Sequence, residues 1–105
     1  MTGFVRACSV GELKDGGAIS VELDGEPVAI VQTEGEVYAI YDVCSHAQVP
    51  LSEGEVDGHT IECWLHGSCF DLRTGEPLQL PATVGVPVYP VKIEGDDVLV
   101  DIKES

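Results

Sequence analysis

Two short residue pairs constrain this chain more than anything else in it: Cys44-Ser45-His46 and Cys63-Trp64-Leu65-His66, with sixteen residues, 47–62, between them. Each pair couples a soft thiolate to an imidazole at a spacing that lets both face one centre. Holding all four on that centre requires two separate loops to converge. Four such ligands complete either a tetrahedral zinc site or a Cys2His2 iron–sulfur cluster. The usual zinc-finger order puts two Cys close together and two His on a later helix. Here each pair is mixed, Cys first and His second, and neither lies in a helical pattern. A two-iron cluster accounts for the mixing when one iron takes both Cys and the other both His.

The rest of the chain reads as strands and turns. Ser9-Val10-Gly11-Glu12 has capping-box spacing, but Asp15-Gly16-Gly17 follows too soon for more than one helical turn. Residues 18–23 run into the turn Asp24-Gly25, 27–33 return from it, and Gly35 makes a second tight turn before 37–43, a three-strand meander. Val28, Ile30 and Gln32 alternate with Ala29, Val31 and Thr33, an alternation expected to leave only one purely apolar face. Residues 88–93, the turn Glu94-Gly95-Asp96 and 98–102 make a closing hairpin. Between these halves, from Cys44 to about Pro87, lies an insert rich in Gly, Pro, Cys and His, with short strands expected at 54–56, 59–63 and 68–72. No fixed-period repeat, low-complexity tract or linker interrupts it. The expected fold is all-β: a small antiparallel sandwich or barrel, one domain over 1–105, with a loop-rich insert at about 44–87.

Charge narrows the partners. Nineteen Asp and Glu stand against five Lys and Arg, a formal net charge of −14. Such a surface repels nucleic-acid phosphates and anionic membranes, and suits fast, salt-sensitive docking on a basic protein patch. Solubility alone would favour the same composition. The N-terminus shows no basic segment followed by an apolar stretch, and the run Val28-Ala29-Ile30-Val31 is far too short to cross a bilayer. The expected location is the cytosol, where thiols stay reduced, so four Cys point to metal or redox chemistry before disulfides.

On these residues the chain resembles the Rieske family. It matches that family's C-x-H … C-x-x-H pattern at all four positions. The run His66-Gly67-Ser68-Cys69-Phe70-Asp71-Leu72-Arg73-Thr74-Gly75, with Pro81-Ala82 beyond, is similar to the family's H-G-x-x-F-D-x-x-T-G … P-A. The resemblance implies the Rieske fold and one [2Fe–2S] cluster, with Cys44 and Cys63 on the inner iron and His46 and His66 on the outer one near the surface. It also places Gly67 and Ser68 where backbone N–H groups and a hydroxyl bond the sulfurs. Trp64 and Phe70 become apolar packing around the cluster, Leu65 lies beside His66, and Pro81 belongs to a shielding third loop. High-potential members carry a disulfide between the loops and a Tyr that bonds a cysteine sulfur. Val49, Leu65 and Phe70 stand at those positions here. The expected potential is therefore near the bottom of the roughly −150 to +300 mV Rieske range.

No second iron site of two His and a carboxylate and no nucleotide-binding Gly motif is present, so an electron carrier is expected rather than an enzyme. Two ferric ions and two sulfides leave two positive charges, which two thiolates cancel. One added electron makes the site singly negative, and the acidic chain opposes that. The resemblance implies a cytosolic monomer passing single electrons from a reductase to a terminal non-haem iron oxygenase in aromatic catabolism, docking near His46 and His66. Other readings are a Rieske protein of iron–sulfur assembly, a nitrite-reductase small subunit, or a structural zinc module. Cys8 and Cys69 are expected as packed or partly exposed thiols, joined only if the fold brings them together. His59 reads as a turn residue, and the acidic stretches 53–55 and 94–97 as solvated turns.

Overall fold

The computed structural model describes residues 4–44, 49–64, 67–78 and 84–102. Ten strands run through them: β1 (Phe4–Ser9), β2 (Gly17–Leu23), β3 (Glu26–Thr33), β4 (Glu36–Tyr41), β5 (Glu55–Asp57), β6 (Thr60–Glu62), β7 (Cys69–Asp71), β8 (Val88–Tyr89), β9 (Val91–Glu94) and β10 (Asp97–Asp101). They form three antiparallel sheets, ordered β1-β10-β9, β2-β3-β4-β8 and β5-β6-β7. The all-β antiparallel architecture is the expected one. No helix among the described residues is long and apolar enough to cross a membrane.

The meander forms because its turns fit its strands. Asp24-Gly25 and Glu34-Gly35 take positive φ at both positions (52° and 82°, 53° and 79°), the two-residue geometry whose twist matches flanking antiparallel strands. The resulting sheet is the middle layer, and β3 is buried on both faces rather than one. Val28 and Ile30 pack with Cys8, Val98 and Val100 on one side. Ala29 and Val31 pack with Cys44, Ile61, Cys63, Phe70 and Leu72 on the other. Each large apolar side chain buried this way contributes about 1.5–3 kcal/mol.

One other expectation changes, and one strand appears where none was expected. The single strand expected over 88–93 is divided at Pro90: β8 pairs with β4 (Ala39↔Tyr89, Ile40↔Val88), whereas β9 pairs with β10. Proline has no N–H for either ladder, and its carbonyl accepts the Asp101 N–H at 3.1 Å, so the chain changes sheets there. The first strand, β1, carried no recognisable signal. Of its six residues only Cys8 is buried, and its register against β10 shifts between Arg6 and Cys8. The capping-box site holds one 3-10 turn, Val10–Glu12, with the Ser9 N–H donating to the Glu12 carboxylate at 2.8 Å.

The small sheet β5-β6-β7 is tied to the far tip of the meander. The Thr33 hydroxyl donates to the Gly58 carbonyl at 2.8 Å. His59, in the β5–β6 turn as expected, places Nε2 3.3 Å from Glu34 Oε1 and meets Tyr38 edge-on at 6.2 Å. The opposite end of the small sheet leads into Cys63.

Candidate metal centre

The first loop begins where β4 ends. The Asp42 N–H donates to the Pro27 carbonyl at 3.0 Å, and its carboxylate is buried, only 3% exposed. A buried carboxylate without partners would be strongly destabilising. Asp42 Oδ1 accepts the Ser52 N–H at 2.7 Å and Oδ2 the Ser52 hydroxyl at 2.8 Å, both charge-assisted bonds. This holds the chain two residues before Cys44. The Cys44 N–H then donates to the Val49 carbonyl at 2.9 Å.

The second loop is the continuation of the β6–β7 hairpin. The pairs Ile61↔Phe70 and Glu62↔Cys69 lead to a further bond, Cys63 N–H to the Ser68 carbonyl at 2.6 Å. Gly67 N–H donates to the Cys63 carbonyl at 2.9 Å, with Gly67 at φ +77°, a left-handed conformation that favours glycine.

Cys44 and Cys63 are both 0% exposed and belong to one apolar cluster with Leu51, Ile61, Phe70, Leu72 and Val86. Neither is in a disulfide. The structure therefore brings the two predicted cysteines into one compartment, each at the base of a hydrogen-bonded loop. His46, Leu65, His66 and Pro81 lie outside the described residues. The donor set fits an iron–sulfur cluster. Thiolates whose charge iron and sulfide neutralise can occupy an apolar core, where unpaired thiolates could not.

Around this pair, Ser68 and Phe70 are fully buried, whereas Trp64 is 51% exposed. Phe70 shares the buried cluster with both cysteines. Trp64, in the turn after Cys63, departs from the expectation that it packs. Glu53, Glu55 and Glu62 line a cleft with Cys63, Trp64 and Gly67, so the mouth is acidic. Just below β7, Arg73 donates from Nε and Nη2 to the Asp71 carboxylate at 3.2 and 3.1 Å. Arg73 holds the Asp71 carboxyl below its ordinary range.

The other two cysteines lie elsewhere. Cys69, half-buried on β7, has its thiol pushed up by burial and then by Glu62 and Asp57, with Sγ 3.9 Å from the Gly67 carbonyl. Cys8 is buried in the opposite core, and burial, then Glu12, pushes its thiol up as well. Both environments favour the protonated thiol, and no Cys8–Cys69 disulfide forms. Sequence reasoning missed Asp42 and Ser52. A buried Asp among nineteen acidic residues carries no mark of its burial.

Residues 3–90 match the model of the Rieske [2Fe-2S] domain. The chain is 44% identical over 103 residues to the biphenyl dioxygenase ferredoxin subunit of Pseudomonas sp. (strain KKS102), covering 97% of this chain and 94% of that protein. Its fold is similar to that of the ferredoxin of carbazole 1,9a-dioxygenase from Nocardioides aromaticivorans IC177, with TM-score 0.89, 38% identity, and coverage of 94% of this chain and 97% of that one. It is likewise similar to a chain in a complex of reduced oxygenase and oxidised ferredoxin in carbazole 1,9a-dioxygenase, with TM-score 0.88, 32% identity, and coverage of 96% and 94%. With two buried thiols at the bases of two converging loops, these likenesses make the chain a member of the Rieske family, with one Rieske-type [2Fe–2S] cluster as its cofactor.

Proposed function

We propose that the chain is a one-electron carrier, accepting electrons from a reductase and delivering them to the terminal non-haem iron oxygenase of a ring-hydroxylating dioxygenase system. Cys44, His46, Cys63 and His66 hold the cluster in this reading. The observation that carries it is the convergence of Cys44 and Cys63, both fully buried, from two hydrogen-bonded loops, in a chain similar along its length to dioxygenase ferredoxin subunits.

When bound, the cluster supplies a one-electron couple. The protein's residues do the remainder. Leu51, Phe70 and Leu72 close the inner side against water. Gly67 and Ser68, bonded to the Cys63 backbone, tune the sulfurs in this reading. Exposed Trp64, flanked by Glu53, Glu55 and Glu62, forms the docking face, complementary to a basic surface with a slot for a planar side chain. Three of the chain's five cations already pair with other carboxylates, in Arg6–Asp97, Arg73–Asp71 and Lys92–Glu94, and among the described residues the cleft's lining includes no Lys or Arg. The carrier works as a monomer in the cytosol, at low potential.

Stopped-flow mixing of the reduced protein with an oxidised Rieske-type oxygenase tests this reading. Transfer should be fast at low salt and slow as ionic strength rises, because exposed charges separated by more than about 10 Å are screened at 0.1 M salt. A protein that reduces with dithionite yet neither accepts electrons from a reductase nor passes them to an oxygenase would refute it.

A further inference from the structure

The segment after the first loop touches both cysteine arms. Leu51–Glu53 is a single 3-10 turn, closed by the Gly54 N–H donating to the Leu51 carbonyl at 2.9 Å. On one side, Ser52 gives both its N–H and its hydroxyl to Asp42, two residues before Cys44. Leu51 is fully buried in the cluster that contains both cysteines. On the other side, Gly54 lies against the backbone carbonyl of Glu62, the residue before Cys63, and a Cβ at position 54 would collide with that oxygen. Gly54 has φ −87° and ψ −171°, extended backbone that any residue adopts. Glycine is needed here for space and not for conformation.

We infer that this turn is the gauge that sets the separation of the two ligand loops, with Asp42 and Ser52 as positioning residues and Gly54 as the contact surface. The inference rests on the reading of Cys44 and Cys63 as ligands. One rigid turn is bonded to the first arm by two hydrogen bonds and touches the second arm backbone to backbone. A change at either end alters the spacing between the arms, while the strands of the two larger sheets keep their pairing. The device gives a buried carboxylate a role so near an electron-carrying centre, where an added negative charge opposes reduction. Its two bonds hold the loop that carries Cys44.

The test uses purified holo-protein and the variants Ser52→Ala, Ser52→Thr, Gly54→Ala and Cys44→Ser. Readouts are the rate of bleaching under an iron chelator, the EPR g values of the reduced protein, the reduction potential and far-UV circular dichroism. Ser52→Ala removes one donor to a buried carboxylate and should bleach on the order of ten-fold faster, with altered g values. Ser52→Thr keeps the hydroxyl and should restore the wild-type rate and g values. Gly54→Ala should lower iron content while the β-sheet dichroism persists. Should it fail to fold, the Ser52 pair decides. Wild-type bleaching and g values in Ser52→Ala, or a defect that Ser52→Thr does not restore, would overturn the gauge. A Cys44→Ser protein with the wild-type spectrum would instead overturn the ligand reading beneath it.

Discussion

Phe70→Ala separates a role in general packing from a role at the centre. Phe70 is the largest fully buried side chain, sharing its cluster with Cys44 and Cys63 and pairing across the hairpin with Ile61. Truncating a buried Phe to Ala costs about 3–5 kcal/mol, from lost transfer energy plus the cavity left behind. Against a net stability of about 5–15 kcal/mol for a domain of this size, that is a large share of the total. The cavity would open inside the compartment that holds both thiols. Denaturant unfolding followed by far-UV dichroism should show the stability loss. Visible absorption should show the cluster bleaching at lower denaturant than the sheets unfold. Val98→Ala, in the opposite core, should lower stability while the visible and dichroism transitions stay coincident. Visible and dichroism transitions that stay coincident in Phe70→Ala, as expected of Val98→Ala, would refute the assignment of Phe70 to the wall of the centre.

Two further outcomes follow from the same geometry. Arg73 lowers the Asp71 carboxyl, so the pair's stabilisation is complete above the unfolded carboxylate range near about 3.9 and is lost as pH falls through the lower folded value. Arg73→Gln should therefore move the acid-unfolding midpoint to higher pH, by a modest amount because the guanidinium is largely exposed. An unchanged midpoint would show that the pair contributes nothing. Cys69→Ser should leave the visible and EPR spectra intact. Because the Cys69 thiol is pushed up, its alkylation in the wild-type protein should accelerate only at alkaline pH. A colourless Cys69→Ser protein would overturn the ligand set.

The meander was legible because Asp24-Gly25 and the glycine at 35 announce turns between alternating apolar runs. The sheet change at Pro90 was not, since residues 88–93 alternate well enough to pass for one strand, and only the competing pairing of β4 and β10 divides them. Burial of β3 on both faces depends on which layers stack against it, information that resides in distant segments. At the centre, Cys44 and Cys63 stood out because Cys and His are scarce and their spacing is short. Trp64 looked like packing because large aromatics usually are. It is exposed in the turn after Cys63, beyond the last β6–β7 pair. Asp42 and Ser52 lie ten positions apart, and nothing in a strand pattern marks a side-chain bond across a loop.

The assignment of four side chains to one two-iron cluster is tested most directly by electron–nuclear double resonance on reduced protein labelled with 15N-histidine. Wild type should show two histidine nitrogens coupled to the same spin centre, and His46→Ala or His66→Ala should abolish or replace that signal. His59→Ala, in the distant β5–β6 turn, should leave it unchanged. Loss of a nitrogen coupling in His59→Ala, or both couplings surviving in His46→Ala and His66→Ala, would contradict the account.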